Sequence, residues 1–211
     1  MKKKHPIEAL IEQGEHQQLD FKFEVSDSKK IARTISAFSN TDGGRLLIGV
    51  KDNGVIRGIQ SDEEFYMVDA AAKMYTRPAV ALQTKTWNIH GKSVLEVLIS
   101  PGDQKPYLAP DKNDEYKAYI RVEDENILAN AVLINAWKKR NATDGVLLKV
   151  SLPVKRLLDY LAENDYVYAG QLSRIMHINY HTACRILSDL IAIGTVRYTV
   201  VSKRIVYRKA N

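Results

Sequence analysis

Only one cysteine, Cys184, occurs in the 211 residues. That excludes an internal disulfide framework and any zinc site built on several thiolates, and it fits a reducing compartment, so a cytoplasmic location is expected. Long apolar runs are missing too, and nothing approaches the roughly 20 consecutive apolar residues of a membrane-spanning helix. The start, Met1-Lys2-Lys3-Lys4-His5-Pro6, is basic but leads into the amphipathic Ile7-Glu8-Ala9-Leu10-Ile11-Glu12, so no secretion signal is expected. No Gly-x-x-x-x-Gly-Lys-Ser/Thr run exists, which leaves ATP binding without support despite Asp42-Gly43-Gly44 and Gly49. No Ser-His-Asp arrangement is visible. His177 and His181 lie four apart, but a turn is expected between them and no Glu or Cys completes a ligand set.

What is present is an uneven charge. The chain carries 31 Lys and Arg against 25 Asp and Glu, a net +6. Residues 1–150 hold 22 cations against 21 anions, whereas residues 151–211 hold 9 against 4, so the excess sits in the C-terminal piece. Duplex DNA is a dense line of negative charge, and a small basic domain is a candidate to contact its phosphates.

Ile7, Leu10 and Ile11 fall at helical spacing and predict a short helix stopped near Gln13-Gly14. A strand follows over Leu19 to Phe23. Ser26-Asp27-Ser28 offers N-cap residues for a helix whose buried stripe is Ile31, Ile35 and Phe38. Asp42-Gly43-Gly44 ends that helix, Leu46 to Val50 suits a central strand, and Lys51-Asp52-Asn53-Gly54 predicts a hairpin turn to a partner strand over Val55 to Ile59. A helix from Asp62 to Met74, a second hairpin over Ala79 to Ser100, a strand at Ala118 to Val122 and a helix near Asn130 to Lys139 complete a first domain over 1–140. The fold class is α+β with a mixed sheet.

A polar linker, 141–150, precedes a segment of different character. Leu157, Leu158 and Leu161 mark one helix; Leu172, Ile175 and Met176 a second; Ala183, Ile186, Leu187, Leu190 and Ile191 a third that ends at Gly194, with Asn179 as its N-cap. Thr195 to Val200 and Arg204 to Arg208 then pair as a hairpin. Three helices and a terminal hairpin over 151–211 describe a small winged helix-turn-helix domain. Its third helix is expected to enter the major groove of duplex DNA, presenting Tyr180, His181, Thr182, Arg185 and Ser188, with Asp189 at the margin. Lys203 and Arg204 at the hairpin tip suit phosphate contacts. Cys184 falls among the core positions of that helix and is expected to be a buried small hydrophobe.

The stretch from Glu15 through Leu19-Asp20-Phe21-Lys22, Ala37-Phe38-Ser39-Asn40-Thr41-Asp42-Gly43-Gly44 and Leu47-Ile48-Gly49-Val50-Lys51-Asp52-Asn53-Gly54 to Gly58, with Ala118-Tyr119-Ile120-Arg121-Val122 later, resembles the Schlafen AlbA-like DNA-binding domain over about residues 8–125. The resemblance implies a bacterial transcriptional regulator with a winged helix after that domain. Dimerisation is expected, since twofold pairing doubles the readout of a short half-site. It also implies an alternative: Schlafen nucleases use three acidic residues and a divalent metal, magnesium or manganese, to cleave structured RNA, and these map by position onto Glu15, Asp20 and Asp52. Clustered carboxylates suit hard cations. Asp20 departs from the family's usual Glu and reaches one methylene less far. Lys22 is a candidate phosphate contact in either case.

Overall fold

The structure is a computed structural model that describes residues 5–143, 145, 147 and 151–210. It is an α+β protein dividing into two compact units, Met1–Leu128 and Ala129–Asn211. In the first, β1 (Leu19–Lys22) pairs in parallel with β2 (Gly44–Ile48), which pairs antiparallel with β4 (Lys92–Ile99), and β3 (Leu82–Ile89) forms the outer edge. This mixed sheet has the order β1-β2-β4-β3. A second sheet, antiparallel, is built from β5 (Leu108–Pro110), β6 (Tyr116–Val122) and β7 (Glu125–Leu128).

Helix α2 (Ser28–Asn40) lies at the centre of this unit. Asp27 caps it by accepting from the Lys29 N–H at 2.8 Å. The apolar pattern predicts one buried stripe, yet the helix buries Ile31, Ala32, Thr34, Ile35, Ser36, Ala37, Phe38, Ser39 and Asn40. On one side it meets Leu46, Ile48, Leu95, Val97 and Ile99 of the mixed sheet; the same core includes Ala109 and Tyr119 of the second sheet and Val68, Ala71 and Ala72 of α3 (Glu63–Met74). A helix packed on several sides must satisfy its polar side chains inside the protein. Asn40 does so: its Nδ2 donates to the Tyr107 and Tyr119 carbonyls at 2.8 Å each, and its Oδ1 accepts from the Tyr107 N–H at 2.8 Å. Ser36 adds a bond to the Tyr107 carbonyl at 2.8 Å. The polar end of α2 is therefore a clamp on the second sheet.

The other face of the mixed sheet carries Leu19, Phe21, Leu47, Val94 and Ile89, covered by Ile7, Leu10 and Ile11 from α1 (Pro6–Ile11) and its neighbourhood. The strand expected over Val55–Ile59 does not form; a single bridge joins Val50 to Ile56. The reason is topological: β2 already has β1 and β4 on its two edges. Instead the chain doubles back on Gly49, whose carbonyl accepts from the Arg57 and Gly58 N–H groups at 2.8 and 2.9 Å. Gly49 has φ +93°, and a Cβ there would lie 2.8 Å from the Gly58 carbonyl carbon.

In the second unit α4 (Ala131–Arg140) packs on α7 (Tyr180–Ala192), with α5 (Leu152–Glu163), α6 (Ala169–Ile175) and a hairpin of β8 (Val196–Val201) and β9 (Arg204–Lys209). The sequence places α4 in the first domain; in the structure it groups with residues 129–211. Asn179 caps α7 through the Thr182 N–H at 2.8 Å. The turn between the strands uses Ser202 and Lys203 with φ of 49° and 60°, a pairing of positive φ values suited to a two-residue hairpin. Tyr207 is buried, its hydroxyl accepts from Asn130 Nδ2 at 2.8 Å, and burial pushes its phenol up.

Replacing Asn40 by Ala strands the half-buried Tyr107 N–H and the buried Tyr119 carbonyl, while Ser36 still serves the Tyr107 carbonyl. At about 1–3 kcal/mol for each unsatisfied group, urea unfolding should give a loss of about 3 kcal/mol or more. A loss under about 1 kcal/mol would contradict the clamp.

Candidate nucleic-acid interface

The sequence singles out Glu15, Asp20, Lys22 and Asp52, and the structure brings only the first three together. Asp20 is on β1, where it is almost fully buried. Its Oδ1 meets the Arg121 Nη2 at 3.0 Å, and Arg121 on β6 is equally buried. Arg121 also donates to the Leu19 carbonyl at 3.3 Å and, through Nη1, to Asn126 Oδ1 at 3.2 Å. The Lys22 ammonium lies 2.8 Å from Asp20 Oδ2, although its aligned hydrogen bond goes to the Phe21 carbonyl at 2.7 Å. Asp20 is thus an ion-paired link between the two sheets.

Glu15 precedes β1 and accepts from the Phe21 N–H at 2.8 Å. Partial burial, then the adjacent Asp20 carboxyl, pushes its own carboxyl up, opposed by the Phe21 N–H and, less, by Lys22. Asp52 stands apart in an exposed turn, beside Phe23, Lys51 and Asn53 on an open concavity. Among the described residues no three His, Cys, Asp or Glu side chains come together in a way that could hold a metal. The donor set that the resemblance implies for magnesium or manganese does not fit this arrangement: Asp20 is committed to Arg121 and Lys22, and Asp52 is outside the cluster. Arg121 is the member that sequence reading missed. It appeared as a strand residue and within the family resemblance but was given no role, and nothing local signals that β6 delivers it to β1.

The second unit presents a different surface. On α7, Tyr180, His181 and Arg185 are exposed, and so are Lys203 and Arg204 at the hairpin tip. Thr182 is half-buried. Ser188 is not outward-facing as expected: it is fully buried, and its Oγ donates to the Cys184 and Val132 carbonyls at 2.8 and 3.0 Å. The expectation fails because α4 covers that side of α7. Asp189 is engaged in an ion pair with Lys139 of α4. Cys184 is buried, and the Tyr180 phenol is pushed up by its contact with this thiol and by burial. Arg174 on α6, which the sequence reading passed over, is another exposed cation of this unit.

Residues 15–130 match the Schlafen, AlbA_2 family. A search of curated proteins finds no match. Among solved structures, the chain is similar to a protein from Corynebacterium diphtheriae at 18% identity and a TM-score of 0.47, over 70% of this chain and 34% of that one. The chain therefore spans about a third of that protein's length. It is also similar to the N-terminal domain of a RecG-related protein from Nitrosomonas europaea, at 20% identity and a TM-score of 0.41, over 61% of this chain and 97% of that one.

Two substitutions separate the structural carboxylate from the surface one. Asp20→Asn leaves the buried Arg121 charge uncompensated and should cost about 3–5 kcal/mol in urea unfolding, whereas Asp52→Ala should stay within about 0.5 kcal/mol. Comparable effects at the two sites would contradict the assignment. Glu15 adds a pH dependence. Because its carboxyl is pushed up in the folded protein, the stability it contributes is present at low pH and lost as pH rises through its titration. Glu15→Gln should therefore gain stability relative to the wild type as pH rises from 4 to about 8; a difference independent of pH would refute this.

Proposed function

The chain belongs to the Schlafen, AlbA_2 family, and we propose that it is a nucleic-acid-binding protein and transcriptional regulator whose residues 151–211 form a winged helix-turn-helix that reads duplex DNA. The observation that carries this reading is the exposure of Tyr180, His181 and Arg185 at the N-terminal end of α7 in the same unit as the exposed hairpin-tip cations Lys203 and Arg204. In a winged helix the first turns of the third helix meet base edges, and the hairpin rests on the backbone. Arg185 can address a guanine edge or a phosphate, while Lys203 and Arg204 neutralise phosphate charge. Arg174 adds a further cation to the surface available to DNA. The net charge of +5 over residues 151–211 supports the same assignment.

In this reading the family domain adds nucleic-acid contact, with Lys22 the nearest cation of its polar cluster, or serves pairing into a homodimer. The protein works in the cytoplasm; no described helix is long and apolar enough to cross a membrane. The rival reading is a magnesium- or manganese-dependent endoribonuclease acting on tRNA or other structured RNA through Glu15, Asp20 and Asp52. The contact of Glu15 with Asp20 favours it, and the commitment of Asp20 to Arg121 weighs against it.

Fluorescence anisotropy with a labelled duplex across a salt series tests the leading reading. Arg185→Ala combined with Lys203→Ala should weaken binding, and the slope of log K against log salt should fall by about 0.9 for each phosphate that is no longer neutralised. Unchanged affinity and slope would overturn it. Incubation with tRNA and manganese should give no cleavage, and cleavage that disappears in Asp52→Ala would put the nuclease in its place.

A further inference from the structure

The mixed sheet packs one face on α2, while α1 covers only part of the other. Strand register puts Arg45 of β2, Glu96 and Leu98 of β4, and Gln83, Lys85 and Trp87 of β3 together on that second face. Beside α1 they line a concavity of about 420 Å³. It continues past Leu10, Arg45 and Leu98 into a neighbour of about 410 Å³ that also borders His16, Gln18, Asp42 and Ser100. Nothing in the proposed function uses this groove.

Its chemistry is specific. Glu96, the acid of the first concavity, is tied down: Oε2 accepts from the Trp87 indole N–H at 2.7 Å and Oε1 from Arg45 Nη1 at 3.1 Å. Its side chain is only 14% exposed. Those bonds fix the indole ring, which is half-buried, and leave the Arg45 guanidinium partly exposed at the rim. The Lys85 ammonium hovers over the ring, 3.6 Å from its centroid, and the His5 ring meets the ring edge-on at 5.1 Å. The groove therefore offers an oriented aromatic face, an apolar floor at Leu98 and two cations that border one neutralised carboxylate.

We propose that this groove binds a short single-stranded nucleic-acid segment, one base stacking on Trp87 over Leu98 and the adjoining phosphate meeting Lys85 and Arg45. Every base has a π-face, so a single fixed indole accepts a strand without regard to sequence. A solvent-exposed cation–π contact is weaker than base–aromatic stacking, so an arriving base displaces the Lys85 ammonium from the ring toward the phosphate. Duplex DNA is excluded because its bases are stacked away from a ring that lies inside a concavity. This inference deepens the nucleic-acid reading and rests on it, but it concerns a surface that Arg185 and Lys203 do not form.

The test uses the full chain and a labelled oligothymidylate of about ten nucleotides, within the range of single-strand site sizes. Trp87 is the accessible indole, since Trp137 is buried. Wild type should bind the oligomer with quenching of tryptophan emission. Trp87→Leu and Lys85→Glu should each weaken binding about tenfold. Trp87→Phe loses the same N–H bond to Glu96 but keeps a stacking ring, so it should retain affinity while losing the quench. The Arg185→Ala, Lys203→Ala variant should bind the single strand as wild type does. Unchanged affinity in both Trp87→Leu and Lys85→Glu, or loss in Trp87→Phe equal to that in Trp87→Leu, would overturn the proposal. Duplex binding without single-strand binding would sink this inference alone; binding of neither would sink the functional reading as well.

Discussion

The buried ion pair between Asp20 and Arg121 is the constraint on which the first unit depends. It joins β1 of the mixed sheet to β6 of the second sheet in a space with almost no solvent. Taking two charges out of water is expensive, and removing one partner is more expensive still, so the pair dictates where the β6–β7 hairpin can sit. Gln17 follows the same path: its Nε2 donates to the Arg121 carbonyl at 2.8 Å and its Oε1 accepts from the Glu123 N–H at 2.9 Å. The Asn40 clamp adds bonds to Tyr107 and Tyr119 at the C-terminal end of α2. Between them these polar contacts hold a helix that has sheet on two sides.

That constraint also sets the chemistry of the acidic stretch. A carboxylate held by a buried guanidinium and a neighbouring ammonium has little capacity left for a cation, and the third acid lies in an exposed turn. Glu15 keeps the remaining freedom, with its carboxyl pushed up by burial beside Asp20. The polar residues that identify the family are in large part the residues that assemble its fold. The surfaces proposed for nucleic acid are α7 with its hairpin and the half-covered sheet face around Trp87.

Much of this was legible in the residues, and the parts that were not have a common cause. Helices with a clear apolar period and a capping residue, such as α2 after Asp27 and α7 after Asn179, read correctly, as did the hairpin of β3 and β4. The failures concern what a neighbour covers. Ser188 lies on the polar side of a helical wheel, but α4 arrives there from more than forty residues away in sequence. Val55–Ile59 has the composition of a strand, but β2 has no edge left to pair with it. Arg121 read as one residue of a strand candidate, and only the sheet packing sends it to Asp20. Periodicity reports which residues want burial; it carries no information on which element will bury them.

The central claim is that duplex DNA meets the second unit through α7 and the hairpin tip. Hydrogen–deuterium exchange of the full chain with and without a duplex measures this directly. The account predicts slowed exchange across residues 179–186 and 201–205 on duplex addition. Protection confined to residues 15–60, with none in α7 or the hairpin, would contradict it.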